Sequence, residues 1–184
     1  MVVCALIVVG QTAGDGPDIP GVRGINGAVS SDGDAVRILE HTRFGPDVVH
    51  AFTLVEAAEG KRVALVVGIG KYDNVQKLTN PVTDAEGVRS KLAEIGFQVE
   101  PAFDVPRSVF NKTWQTVLDG LNPEDTFVLF FSGHGVQIDG QNYLLPRDIP
   151  FIEYGRNEQL KREAISLNEL LADLSTGDRA HPKS

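Results

Sequence analysis

Apolar positions along residues 61–184 alternate between two periods, and the alternation predicts a layered α/β domain. The run "RVALVVGIG" is continuously apolar, rich in β-branched residues and closed by glycine, as a parallel strand buried on both faces requires. Residues 83–95, "TDAEGVRSKLAEI", then set Val88, Leu92 and Ile95 at helical spacing with charges between them, and Gly96 is placed to stop that helix. "FQVEPAF" supplies a second strand. Residues 108–121 carry Val109, Phe110, Trp114, Val117, Leu118 and Leu121 at intervals of three and four, which predicts a second amphipathic helix. "DTFVLFFSG" is the most hydrophobic strand and belongs at the centre of the sheet; "GQNYLLP" reads as a brief extended segment. "SLNELLADL" predicts a third helix, with Ser166 as N-cap and Glu169 three residues on, the pattern of a capping box. Strand and helix in alternation imply a three-layer α/β/α sandwich around a mostly parallel sheet.

The pattern breaks before residue 61, so the chain divides into an N-terminal segment, 1–60, and a domain, 61–184. "MVVCALIVVG" suits either the apolar heart of an export signal or a buried strand. It lacks a positively charged lead-in and falls well short of the roughly 20 residues of a spanning helix, so localisation stays open. Residues 11–34 are dense in Gly, Asp and Pro and read as loop; "VVHAFTLVEA" predicts one strand.

With 184 residues and 42% hydrophobic content, there is material for one core and not for two. A net charge of -8 and the absence of Lys/Arg clusters exclude a nucleic-acid surface; Lys161-Arg162 reads as solvated surface, and no membrane span is expected. Cys4 is the single cysteine, which rules out an internal disulfide framework and a multi-thiolate zinc site.

Four familiar chemistries fail on spacing. "VVGIGKYD" is no phosphate loop: Leu65 stands where its first Gly belongs, and Tyr72 follows Lys71 in place of Ser or Thr. Asp73 occupies the third Gly of a dinucleotide fingerprint, which leaves Gly68 and Gly70 as turn residues after a strand. Ser132 lacks the preceding Gly of a hydrolase elbow, since Phe130 is there. A metal site using His134 with Asp139 or Asp148 lacks a second histidine nearby, and His41, His50 and His181 sit in separate, loop-like surroundings and read as surface residues. No cofactor or metal is called for.

His134 remains. It follows the central strand at its carboxyl end, where open α/β sheets gather their chemistry, between Gly133 and Gly135, which allow close backbone approach. It reads as a general base, with the Gly135 N–H available to a developing oxyanion. From the residues alone, a packed or solvent-facing histidine is an equally good account.

Three stretches add to this. "KRVALVVGIGKYDNVQKLTNPVTDAEGVRSKLAEIGFQV", "DTFVLFFSGHGVQIDGQNYLLPRDI" and "AISLNELLADL" together resemble the caspase-like cysteine peptidases, specifically their bacterial metacaspase-like branch. The resemblance implies a caspase-like sandwich and proteolysis by a cysteine-type endopeptidase. His134 is then the catalytic histidine, Gly135 the oxyanion-hole contributor, and Ser132 and Asp84 lining residues of the primary specificity pocket. A carboxylate there favours protein or peptide substrates cut after Arg or Lys, although "NPVTDA" lacks the cysteine of the metacaspase pattern and N-capping alone would explain Asp84. The family's nucleophile is a cysteine in a short Asp-x-Cys type motif on the next strand, some 50 residues beyond the histidine. No such motif stands in these residues, and the apolar neighbours of Cys4 do not favour a thiolate. The expectation is a caspase-like domain truncated before its nucleophile, inactive on its own; the alternative is a catalytically inactive interaction module. The charged segment 147–162 is expected to be a loop bordering the cleft, with Arg147, Arg156, Lys161 and Arg162 as self-cleavage points if the specificity is for basic residues; a plain surface loop is an equally good account.

Overall fold

The first parallel strand and the most hydrophobic one lie side by side. Arg62–Gly68, in the computed structural model, pairs in parallel with Thr126–Ile138 from Arg62↔Thr126 to Gly68↔Ser132. The structure describes residues 2–10, 24–25, 35–41, 60–122 and 124–175. Numbered along the chain, its strands are β1 (Val2–Gly10), β2 (Gly24–Ile25), β3 (Ala35–His41), β4 (Arg62–Gly68), β5 (Gln98–Phe103), β6 (Thr126–Ile138), β7 (Gln141–Leu144) and β8 (Ile165–Ser166). The helices are α1 (Pro81–Glu94), α2 (Arg107–Gly120), α3 (Asn157–Glu163) and α4 (Leu167–Ser175).

The sheet runs β2-β3-β1-β6-β4-β5, with β7 on β6 and β8 on β7. Its core, β5-β4-β6, is parallel, as the apolar runs predict. The strands added to it, all through β6, are antiparallel. β1 lies along the edge of β6 that faces away from β4, from Val2↔His134 to Val9↔Phe127. The apolar start of the chain is therefore a strand of the sheet.

Side-chain alternation along β4 and β6 divides the core in two. Ala64, Val66, Val128 and Phe130 face α1 through Ala85 and Leu92. Leu65, Val67, Phe127, Leu129 and Phe131 face α2 and α4, through Phe110, Trp114, Leu170 and Leu174. Each such fully buried large side chain contributes about 1.5–3 kcal/mol. The indole N–H of Trp114 donates to Asp173 at 2.9 Å, tying α2 to α4.

The helix signals translate into observed ends. Gly96, at φ 89°, terminates α1: its N–H reaches the Ala93 carbonyl, and the Phe97 N–H reaches that of Leu92, the paired bonds of a Schellman motif. The Ser166 hydroxyl accepts the Glu169 N–H at 3.3 Å and caps α4.

Four expectations need correction. Val109 is 43% exposed and lies off the apolar face of α2. The segment 147–162 is not one loop, because α3 begins at Asn157 and takes in Lys161 and Arg162. His41 ends β3, with its Cα opposite Cys4, and is not in a loop. Gly68 and Gly70 serve close packing, since neither has a positive φ: a Cβ on Gly68 would lie 2.7 Å from both the Ala85 Cβ and the Pro81 carbonyl oxygen. The strand expected in "VVHAFTLVEA", together with His50 and His181, lies outside the described residues.

Candidate active site

Strand β6 changes partners at His134. The Ile69 N–H bonds the Ser132 carbonyl at 2.9 Å as the last contact with the β4 side, and from Gly135↔Leu144 onward β6 pairs with β7. His134 thus stands at the carboxyl end of the parallel strands, partly buried, where the sheet opens.

Its imidazole has a defined partner. Nε2 lies 2.7 Å from the backbone carbonyl oxygen of Gln76. A carbonyl only accepts, so Nε2 carries the hydrogen, and in the neutral ring Nδ1 holds the lone pair. The ring also packs on Tyr72, with centroids 4.7 Å apart and planes at 47°. The main-chain N–H of His134 donates to the Tyr72 hydroxyl at 2.7 Å.

Gln76 and Tyr72 belong to the segment between β4 and α1, and the charge on Asp104 fixes its shape. Asp104 Oδ1 accepts the N–H groups of Gly70 and Lys71, each at 2.8 Å. Lys71 Nζ adds a 3.7 Å ion pair with Oδ2. Asp104 adopts φ 49°, in the left-handed region that Asp tolerates better than most residues. Further along, the Leu78 N–H returns to the Gly70 carbonyl, the Asp73 N–H reaches the Arg147 carbonyl, and the Asn74 amide reaches the carbonyl of Ile149. Arg147 is itself held, with Nε 3.4 Å from Asp73 and a guanidinium N–H on the Asp104 carbonyl.

Gly135 is buried within β6. The Leu145 N–H donates to the His134 carbonyl at 3.0 Å, and antiparallel strands alternate hydrogen-bonded with non-bonded pairs. The Gly135 N–H therefore turns away from β7, toward the β1 side, one residue past the Val2↔His134 pair.

Ser132 is fully buried and continues the Val128–Phe130 face, on which α1 packs. The first turn of α1 rests on Gly68, the β4 neighbour of Ser132. Asp84 lies in that turn and is exposed. The fold thus brings Asp84 and Ser132 to one face and one end of the sheet, while His134 stands two residues beyond Ser132.

Reading the sequence missed Tyr72, Asp104 and Gln76. Tyr72 counted only as a mismatch to a phosphate loop. The Gln76 contribution is a backbone carbonyl, which no residue type reveals. Among the described residues, no group of three or more His, Cys, Asp and Glu side chains gathers into a metal site. No helix among them is long and apolar enough to cross a membrane.

Comparison with known proteins gives one family. The model described as "Caspase domain" matches residues 61–177. No curated protein matches the chain.

Proposed function

The chain belongs to the caspase-domain family, through the match over residues 61–177, and from that premise we propose that it carries the general base of a cysteine-type endopeptidase of the metacaspase-like branch. The observation that carries this reading is the 2.7 Å contact between His134 Nε2 and the Gln76 carbonyl. It leaves Nδ1 as the basic nitrogen of a ring that is already oriented.

In the proposed reaction Nδ1 takes the proton of a cysteine thiol, and the sulfur attacks the carbonyl carbon of a peptide bond. The oxygen of that carbonyl becomes an oxyanion, held by N–H groups that include Gly135. Collapse expels the amine, which leaves with the proton from His134; water then hydrolyses the thioester. The apolar neighbours of Cys4 in the sequence do not favour a thiolate, so these 184 residues alone are expected to cleave nothing.

The exposed carboxylate of Asp84, on the face it shares with Ser132, supports cleavage after Arg or Lys by charge pairing. The test is a set of peptides differing only before the scissile bond, assayed with the product of the complete open reading frame and with Asp84→Asn. Cleavage after basic residues, with the preference reduced mainly through KM in the variant, supports the reading. An unaltered preference removes Asp84 from the pocket. Absence of cleavage from a folded, cysteine-bearing product favours a binding module.

A further inference from the structure

The β6–β7 ladder contains an interruption at His134. Register places Gly135 opposite Leu144, so His134 and Leu145 form the next pair. In a regular antiparallel ladder that pair would exchange two direct N–H···O bonds. One is present, from the Leu145 N–H to the His134 carbonyl at 3.0 Å. The other is replaced by a side chain: the His134 N–H donates to the Tyr72 hydroxyl at 2.7 Å, and that hydroxyl donates to the Leu145 carbonyl at 3.2 Å.

A phenol has one proton, and here its use is fixed. The backbone N–H of His134 only donates and the Leu145 carbonyl only accepts, so the hydroxyl must accept from the first and donate to the second. Burial, the dominant influence, pushes the Tyr72 phenol upward and outweighs the opposing hydrogen bond from His134. The hydroxyl therefore keeps the proton that the relay needs. Space for it comes from Gly133: a Cβ there would lie 2.6 Å from the Tyr72 hydroxyl oxygen and 2.9 Å from the Phe131 ring. The glycine before the histidine and the tyrosine after β4 thus form one device.

We infer that Tyr72 is a positioning residue for His134: its hydroxyl, bridging the His134 N–H and the Leu145 carbonyl, sets the histidine backbone, while its ring supports the imidazole. The inference deepens the peptidase reading and rests on it for its catalytic meaning, but the geometry is measurable without turnover. Tyr72→Phe keeps the ring and deletes the bridge. Gly133→Ala attacks the same contact from β6 and covers the case in which the first variant folds poorly.

The experiment is NMR on the intact chain, reading the His134 ring nitrogens and the exchange rate of its main-chain amide. In the wild type, Nε2 carries the hydrogen. In either variant the His134 amide should exchange about ten- to a hundredfold faster, as expected for a buried donor deprived of its acceptor, and the ring nitrogens should move toward a mixture of tautomers. Central amides of β6 such as Val128 should keep their rates, whereas a merely structural role would accelerate the whole strand together. Unchanged ring nitrogens and an unchanged His134 amide in both variants would overturn the inference, as would uniform acceleration along β6. If the peptidase reading fails but Tyr72→Phe still releases the ring, only the catalytic meaning is lost; if cleavage is found and the ring is indifferent to Tyr72, only the positioning role is lost.

Discussion

Gln76 presents its backbone carbonyl to Nε2 of His134 at 2.7 Å, joining the segment after the first parallel strand to the end of the central one. Because the contact uses main chain, its persistence depends on whatever fixes the fold of residues 69–80, and Asp104 holds the start of that segment through the Gly70 and Lys71 N–H groups. Asp104→Ala would strip the Gly70 and Lys71 N–H groups of their acceptor and put a β-carbon residue without a compensating side chain at φ 49°. We expect a loss of about 1–3 kcal/mol, read as a lower urea midpoint, with a smaller loss for Asp104→Asn, which keeps one acceptor and tolerates that φ. Equal stability of Asp104→Ala and wild type would refute the assignment.

Asp125 fastens the starts of both central strands. Its carboxylate accepts the Lys61 N–H at 2.7 Å and the Asn122 N–H at 2.9 Å. Burial pushes its carboxyl upward, but the hydrogen bonds from Asn122 and Lys61 together outweigh this and leave it below the usual value. A carboxyl lowered on folding stabilises above its unfolded value, near 3.8, and that contribution disappears as pH falls through the folded value. The stability gap between wild type and Asp125→Ala should therefore be widest near neutrality and close as urea titrations move below about pH 4. A gap that is constant down to about pH 2.5 would contradict this.

Gly68→Ala should be costly despite its small size. The added methyl meets the Ala85 Cβ and the Pro81 carbonyl oxygen, each at 2.7 Å, and backbone cannot retreat as a flexible side chain would. A loss of about 1–3 kcal/mol is expected from such overpacking, together with displaced amide resonances in the first turn of α1. A neutral substitution would mean that α1 does not rest on β4 as described.

Covering the outer edge of β6 is the structural effect of β1. Without it, the backbone from Phe127 to His134 would present an unpaired edge, a template for association. A chain beginning at residue 60 should self-associate at concentrations where the 184-residue chain does not, as sedimentation velocity would register. Equal behaviour of the two would place the protection elsewhere.

The three parallel strands and the helices α1, α2 and α4 were legible because each buries a face of fixed period, so "RVALVVG" and "SLNELLADL" declare themselves. α3 was not: none of its residues is buried, so its seven positions carry no apolar stripe, and charge made it look like loop. β1 was ambiguous because an apolar decapeptide reads alike as strand or export signal. At the site, His134 and Gly135 stood out through glycine flanks after an apolar run, and Ser132 and Asp84 only through family resemblance. Tyr72 and Asp104 act across gaps of 62 and 34 residues, and such distances leave no local pattern.

The most direct measurement of the central claim is the cleavage rate of a basic-residue peptide by the complete open reading frame's product, with and without His134→Ala. The account predicts turnover in the parent and a fall of at least about 10²–10⁴-fold in the variant, the contribution of a general base. Turnover undiminished in His134→Ala would contradict it.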